Sequence, residues 1–210
     1  MTLAQSINGW LRRVPAWTLY VVFALWGGWY FYLALTRSTG IWTNQVQGLE
    51  HVVGLLALKI LIAILAITPI RTYTGINLVK FRRALGVSAF FLVLYHFLVW
   101  WFLDVQTLGR VVADIIKRPY ITIGMGALVL LLPLAVTSNN LSIRKLGPLA
   151  WRRLHWLTYP AVLLAAVHFV WLRKGWQLEP LTYLAIIVAL LLLRVKWRRL
   201  ALALPGLSRG

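Results

Sequence analysis

WRRLHWLTYPAVLLAAVHFVW, residues 151–171, carries two histidines thirteen positions apart, His155 and His168, on one apolar stretch. A third, His96, lies in a second such stretch, ALGVSAFFLVLYHFLVWWFL, residues 84–103. Only four histidines occur among 210 residues, so three of them fall in segments long enough to cross a bilayer. An ionisable side chain at membrane depth is costly and marks function by default. Imidazole is also a principal axial ligand of haem iron. Histidines on separate apolar spans of a cysteine-free chain therefore point to a haem-carrying electron conductor.

Composition agrees with the class. The chain is 61% hydrophobic, its mean hydropathy is +0.79, and it contains runs such as ILIAILAIT (60–68) and YLAIIVALLLL (183–193). A soluble domain of this length has no interior large enough for so much apolar surface, which implies an all-α, polytopic membrane helical bundle forming a single domain over 1–210. Six transmembrane helices are expected, at about 17–35, 50–69, 84–103, 120–137, 149–171 and 181–197. In the last, Arg194 and Lys196 are expected to snorkel to the interface. Pro69 and Pro119 fall at span ends, whereas Pro160 is internal and is expected to bend its helix.

The formal net charge is +18, which by itself would suit nucleic acid. The basic residues, however, sit in short loops: Arg12/Arg13, Arg71/Lys80/Arg82/Arg83, Arg144/Lys145/Arg152/Arg153 and Arg194/Lys196/Arg198/Arg199 share one side. The four acids, Glu50, Asp104, Asp114 and Glu179, share the other. That is the positive-inside pattern, which places both termini in the cytoplasm and gives no nucleic-acid groove. The N-terminal MTLAQSINGWLRRVPAW has no small-residue cleavage site after a short apolar core, so it is expected to lead into the first span. Trp42, Trp100, Trp101, Trp171 and Trp176 gather near the outer boundary as an aromatic belt. The absence of cysteine excludes disulfides, cysteine-ligated iron–sulfur clusters and CxxCH haem attachment. The tail RRLALALPGLSRG (198–210) is too short for a nucleotide-binding fold, so electrons are expected from a lipid-soluble donor or a separate protein.

Counting helical rise inward, His96 lies ~12 Å from Asp104 and His168 ~8 Å from Arg173, so the two are nearly level. One imidazole on each side of a porphyrin would complete a six-coordinate iron with no open position, which suits electron transfer. His155 lies ~20 Å along the axis from His168, near the cytoplasmic surface, and offers an inner level. Thirteen residues leave the two ~140° apart around an ideal helix, a mismatch that Pro160 between them could reduce. No second histidine appears at the inner level.

Alternatives differ by residue. A single membrane histidine is more often an interhelical hydrogen-bond partner than a ligand; for the level pair His96 and His168, haem is preferred. For His155, interfacial packing and ligation stand level. For His51, beside Glu50, a surface or quinone-head contact is favoured over iron. Lys59, mid-span, could answer a haem propionate or a quinone, or pair with a backbone carbonyl. The Arg82/Arg83 and Arg152/Arg153 pairs are orientation signals that could also take a flavin phosphate.

The stretches EHVVGLLALKILIAILAITPIR (50–71), RRALGVSAFFLVLYHFLVWWFLD (82–104), KRPYITIGMGALVLLLPLAVTSNN (117–140) and RRLHWLTYPAVLLAAVHFVW (152–171) together resemble the MsrQ (formerly YedZ) family, from about Gly9 to about Trp197. These are haem-binding membrane subunits of bacterial periplasmic methionine sulfoxide reductase systems, within the ferric-reductase-like transmembrane group. The resemblance implies b-type haem, one or two, with His96, His155 and His168 at the ligand positions. His51 falls at a recurrent histidine of the family. A multi-pass protein of the bacterial cell inner membrane is implied, passing electrons from the quinone pool or a cytoplasmic flavin reductase to a periplasmic molybdopterin methionine sulfoxide reductase that repairs oxidised proteins. FMN is associated with the family, but no motif here locates it. The rival readings are a stand-alone ferric or cupric reductase, a histidine proton relay, and a structural anchor. The relay is disfavoured because the four acids all lie at or beyond the outer span ends, and the anchor leaves the level histidines and Lys59 unexplained.

Overall fold

The computed structural model describes residues 2–36, 44–173 and 177–194. It is helical, with no strand among the described residues. α1 (Leu3–Arg13) opens with a capping box in which the Thr2 hydroxyl accepts from the Gln5 backbone and the Gln5 side chain accepts from Thr2 N–H. Its residues are all at least partly exposed, yet it is pinned to the connector after the third helix. Asn8 donates to the Gly75 carbonyl and accepts from Asn77 N–H, while Lys80 Nζ donates to the carbonyls of Arg12 and Val14. These four bonds fasten α1 to the connector between the third and fourth helices.

α2 (Thr18–Thr36) buries only Gly27 and leans on the two helices that follow. α3 (Gln45–Thr74) is the spine, with thirty residues running from an Asn44 cap to Gly75 in the left-handed region at φ 73°. At 1.5 Å per residue it is ~45 Å long, more than a ~30 Å hydrocarbon core. Pro69 is buried inside it rather than at its end. A proline has no N–H, so the Leu65 carbonyl one turn earlier loses its intrahelical donor, and in lipid such an orphan costs several kcal/mol. Arg194 fills the gap. Its guanidinium donates to the carbonyls of Leu65 and Ile64 and, at 3.1 Å, to the Tyr159 hydroxyl. The expected snorkelling of Arg194 to the interface is thus replaced by an inward cap.

α4 (Arg82–Val99) follows a 3₁₀ turn at Val79–Phe81 and runs on into a π-helical segment, Trp100–Val105, closed by Gln106 at φ 67°. α5 (Leu108–Lys117) is a short amphipathic helix tied to the next by the Thr122 hydroxyl, which donates to the Ile115 carbonyl. α6 (Pro119–Val136) begins with its proline at the first helical position, where the missing N–H is harmless. α7 (Asn140–Leu154) is kinked at Gly147, φ 78°, and buries nothing.

A 3₁₀ turn, His155–Leu157, then leads into α8 (Thr158–Leu172). The bend expected at Pro160 therefore falls before it. Pro160 sits in the first turn of α8 and cannot donate to the Trp156 carbonyl, so the residues just upstream tighten. Three steps at 120° instead of 100° cut the angular mismatch between His155 and His168 to roughly 80°. α9 (Leu178–Leu192) closes the described chain.

Among the described residues, five segments are long and apolar enough to cross a membrane: Thr18–Thr36, Gln45–Thr74, Val79–Val105, Pro119–Val136 and Asn140–Leu172. α9, with fifteen residues, is shorter, and residues 195–197 of the expected sixth span lie outside the described residues, as do Trp42 and Trp176 of the expected belt. Large apolar side chains such as Leu25, Val129 and Leu132 are more than half exposed, which is the surface a lipid solvent requires. The core sits between α3, α4, α6, α8 and α9, around Leu49, Val53, Leu61, Leu65, Val162 and Ile187.

Candidate functional site

Within that core α3 packs most closely on α4, and α6 on α8. Each pair carries the same local construction. On α4, His96 Nδ1 lies 2.9 Å from the Glu50 carbonyl of α3. On α8, His168 Nδ1 lies 2.7 Å from the Tyr120 carbonyl of α6. A carbonyl only accepts, so both rings carry their proton on Nδ1 and turn an unprotonated Nε2 outward.

A glycine makes each approach possible. In an α-helix the carbonyl of residue i points along the axis toward residue i+4. Four residues after Glu50 comes Gly54, and four after Tyr120 comes Gly124. A Cβ on Gly54 would stand 3.1 Å from His96 Nδ1, and one on Gly124 would stand 2.8 Å from His168 Nδ1. Any side chain at these positions would crowd the imidazole off its carbonyl. Sequence reasoning passed over both glycines, although EHVVG and YITIG show the spacing.

The two rings face each other across the bundle with centroids 6.4 Å apart and planes at 77°. They line one cavity of about 640 Å³, whose wall includes Leu58, Leu61, Leu128 and Leu131 and whose outer part includes Glu50, Asp104, Arg118 and Arg173. That volume lies within the roughly 300–1,000 Å³ usual for ligand and cofactor pockets. Arg118 pairs with Asp114 at 3.4 Å and Arg173 with Glu179 at 3.5 Å, so both guanidiniums are held at the outer mouth. Glu50 Oε1 is buried without a hydrogen-bond partner.

The other sequence candidates separate. His51 lines the same cavity with its ring 5.8 Å from that of Phe169. His155 is not brought to them. Its ring stacks on Trp151 at 3.9 Å, its Nε2 lies 3.1 Å from the Thr137 hydroxyl, and Trp151 Nε1 donates to the Thr137 carbonyl. Lys59 is exposed and does not line the cavity. Arg82 donates to the Thr68 hydroxyl at 2.8 Å, beside the Arg194 cap. Among the described residues no three His, Cys, Asp or Glu side chains converge as a metal cage.

The chain is thus a multi-pass helical membrane protein organised around two facing histidines whose Nε2 atoms share one cavity. Residues 53–166 match the family of ferric reductase like transmembrane components. Over 180 residues the chain is 48% identical to a Brucella ovis protein named protein-methionine-sulfoxide reductase heme-binding subunit MsrQ, covering 85% of this chain and 80% of that one. A protein of the same name from Brucella abortus is equally similar, and one from Agrobacterium fabrum is 46% identical over 195 residues, 91% of this chain and 89% of its own. The chain belongs to the MsrQ family of ferric-reductase-like transmembrane proteins, and is a multi-pass protein of the inner membrane. No solved structure matches it.

Proposed function

We propose that the chain is the b-type haem membrane subunit of a methionine sulfoxide reductase system, carrying electrons toward a periplasmic molybdopterin catalytic subunit. The single observation that carries this reading is the matched pair of imidazoles, each bonded through Nδ1 to a backbone carbonyl and both lining one cavity. A metal about 2.0–2.1 Å from an imidazole nitrogen on either side, with each ring centre about 1 Å further back, gives a centroid separation of about 6 Å. The observed 6.4 Å agrees.

Haem b bound there would supply a one-electron carrier with no open coordination position. The protein does the rest. His96 and His168 would hold the iron, and the carbonyls of Glu50 and Tyr120 fix the tautomer and raise ligand basicity. Gly54 and Gly124 admit the rings, the leucine wall excludes water, and Arg118 and Arg173 stand where propionates would emerge. One six-coordinate level is assigned in this way. His155 would serve a second haem only by giving up its contact with Thr137.

Six crossings with both termini in the cytoplasm complete the reading, with α9 and the residues after it as the sixth. The quinone pool or a cytoplasmic flavin reductase is the proposed donor, and an FMN would bind at the basic cytoplasmic face. Reporter fusions after Leu35, Leu103 and Gly175 should report the periplasm, and those after Pro69, Ser142 and the C-terminus the cytoplasm.

The decisive test mixes quinol-reduced protein with the periplasmic reductase and a methionine sulfoxide peptide, following the haem absorption bands. Reoxidation should require both additions. Equal reoxidation by a ferric chelate alone, with none by the reductase, would install the stand-alone ferric or cupric reductase instead.

A further inference from the structure

A second cavity of about 500 Å³ lies between α2 and α4, on a different face of α4 from the histidine cavity. Its walls are aromatic and apolar, and they include Phe31 of α2 and Phe91 of α4, both more than one-third exposed at the outer surface of the bundle. The cleft therefore opens sideways into lipid. Three hydroxyl-bearing residues break the apolar lining: Tyr20, which is 38% exposed, and two whose hydroxyls are buried. Ser88 is 5% exposed and its Oγ has no hydrogen-bond partner, and the Tyr95 hydroxyl is also buried without one. Both residues line the cleft.

Buried hydroxyls without partners are rare and need an explanation. A serine inside a helix ordinarily returns its proton to a carbonyl one turn back, which Ser88 does not do. The pair also sits in register. Ser88 and Tyr95 are seven residues apart, two turns on one face of α4, and helical side chains lean toward the N-terminus, so the Tyr95 phenol reaches back toward Ser88. The space between them exists because α2 passes with Gly27 and Gly28. A Cβ on Gly27 would be in ordinary contact with the Tyr95 ring at 3.6 Å, whereas one on Gly28 would meet nothing within 4 Å.

We propose that this cleft is the binding site for a quinone of the membrane pool, with the ring between the aromatic walls, its oxygens on Ser88 Oγ and the Tyr95 hydroxyl, and its isoprenoid tail in the bilayer. The chemistry selects this ligand from the other contents of a membrane. An acyl chain would fill the apolar walls and leave both hydroxyls bare. A headgroup phosphate would want cations, and no Lys or Arg among the described residues lines the cleft. A hydroxyl both donates and accepts, so the same two residues serve the carbonyl oxygens of a quinone and the hydroxyls of a quinol. Tyr95 and His96 are consecutive, so only α4, roughly 10 Å across with its side chains, separates this cleft from the histidine cavity. The site deepens the electron-carrier reading above, since it places the donor.

The test uses the full-length protein in nanodiscs and a photoreactive azidoquinone, with decylubiquinone and a short-chain menaquinone as competitors. Labelling should map to residues 20–31 and 88–95 and be displaced by one of the two quinones, which identifies the pool. Gly28→Leu, which fills open space, should abolish labelling, and Tyr95→Phe should weaken competitor binding between about two- and twelvefold, the range for one neutral hydrogen bond. Haem content by pyridine haemochrome should stay at the wild-type level in both. Labelling that survives Gly28→Leu, or that a ringless fatty acid displaces as well as a quinone does, overturns the site. If quinol still reduces a haem-loaded protein that labels elsewhere, the site alone fails. A protein that labels here but binds no haem would leave the site standing and remove the electron-carrier reading.

Discussion

The outer and inner histidine levels use the same side chain in opposite ways. At the outer level, His96 and His168 spend Nδ1 on a backbone carbonyl and keep Nε2 free. At the inner level, His155 spends Nε2 on the Thr137 hydroxyl and covers one ring face with Trp151. The difference lies in what the neighbouring helix offers. α3 and α6 each present a carbonyl bared by a glycine one turn on, whereas the C-cap of α6 presents the Thr137 hydroxyl, and the same threonine's carbonyl holds the Trp151 indole of α7. A histidine at membrane depth is therefore not yet a ligand site. The second nitrogen decides, and the helix across from it sets which nitrogen that is.

The comparison is most exposed to removal of the paired rings. His96→Ala or His168→Ala should each lower haem occupancy at least about a hundredfold below wild type, beyond the range of an outer-shell change, read by pyridine haemochrome. His51→Ala should retain more haem than either. Full retention in both of the first two variants would end the assignment.

Gly124→Ala comes next, with Gly54→Ala milder. The added methyl groups would stand 2.8 and 3.1 Å from the respective imidazole nitrogens, so affinity should fall within the roughly 10–100-fold span typical of a lost outer-shell partner, with Gly124 nearer the top. A haem titration of the apoprotein ranks them, and the reverse order would contradict the geometry.

Arg194→Leu probes the inner end of α3. It leaves the Leu65 carbonyl bare and should cost about 1.5–3 kcal/mol, the worth of a charged hydrogen bond, in a thermal or denaturant melt. Pro69→Ala restores an N–H at that carbonyl, so the same arginine substitution should cost less in the Pro69→Ala background. Additive losses would show that the arginine does not serve the proline gap.

The smallest effect is expected at His155. His155→Ala should leave the outer-level spectrum intact and cost about 1 kcal/mol of stability, on the scale of one neutral hydrogen bond. Loss of half the haem instead would assign a second group to the inner level.

Much of this was legible in the sequence because lipid makes apolar length a direct signal. The stretches around His96, His155 and His168 read as membrane helices, and the near-level placement followed from counting rise inward from Asp104 and Arg173. Three features were not legible. Pro69 lies beside a charged residue, Arg71, and so resembles a span end, but only three-dimensional packing shows that a guanidinium 129 positions from Leu65 can replace its N–H. Gly54 and Gly124 look like ordinary small residues of membrane helices until the ring each one admits is in view. The depth of Lys59 in the sequence suggests a cofactor contact, yet depth says nothing about direction, and the residue is exposed and not part of the cavity wall. The change of winding expected from Pro160 is present as the 3₁₀ turn His155–Leu157, just upstream because a proline disturbs the carbonyl that precedes it.

The Arg194 cap also orders events in time. A ribosome adding about 5–20 residues per second needs roughly 6–26 s to make the 129 positions between Leu65 and Arg194. Throughout that interval the longest helix of the bundle has already been threaded into the bilayer with one carbonyl unanswered. Water, a lipid headgroup or the insertion machinery must serve it until the last described helix arrives. Arg194, just past the last described helix, is therefore the latch of the assembly, and a chain released before position 194 would carry its defect in the helix that also holds the Glu50 carbonyl and Gly54.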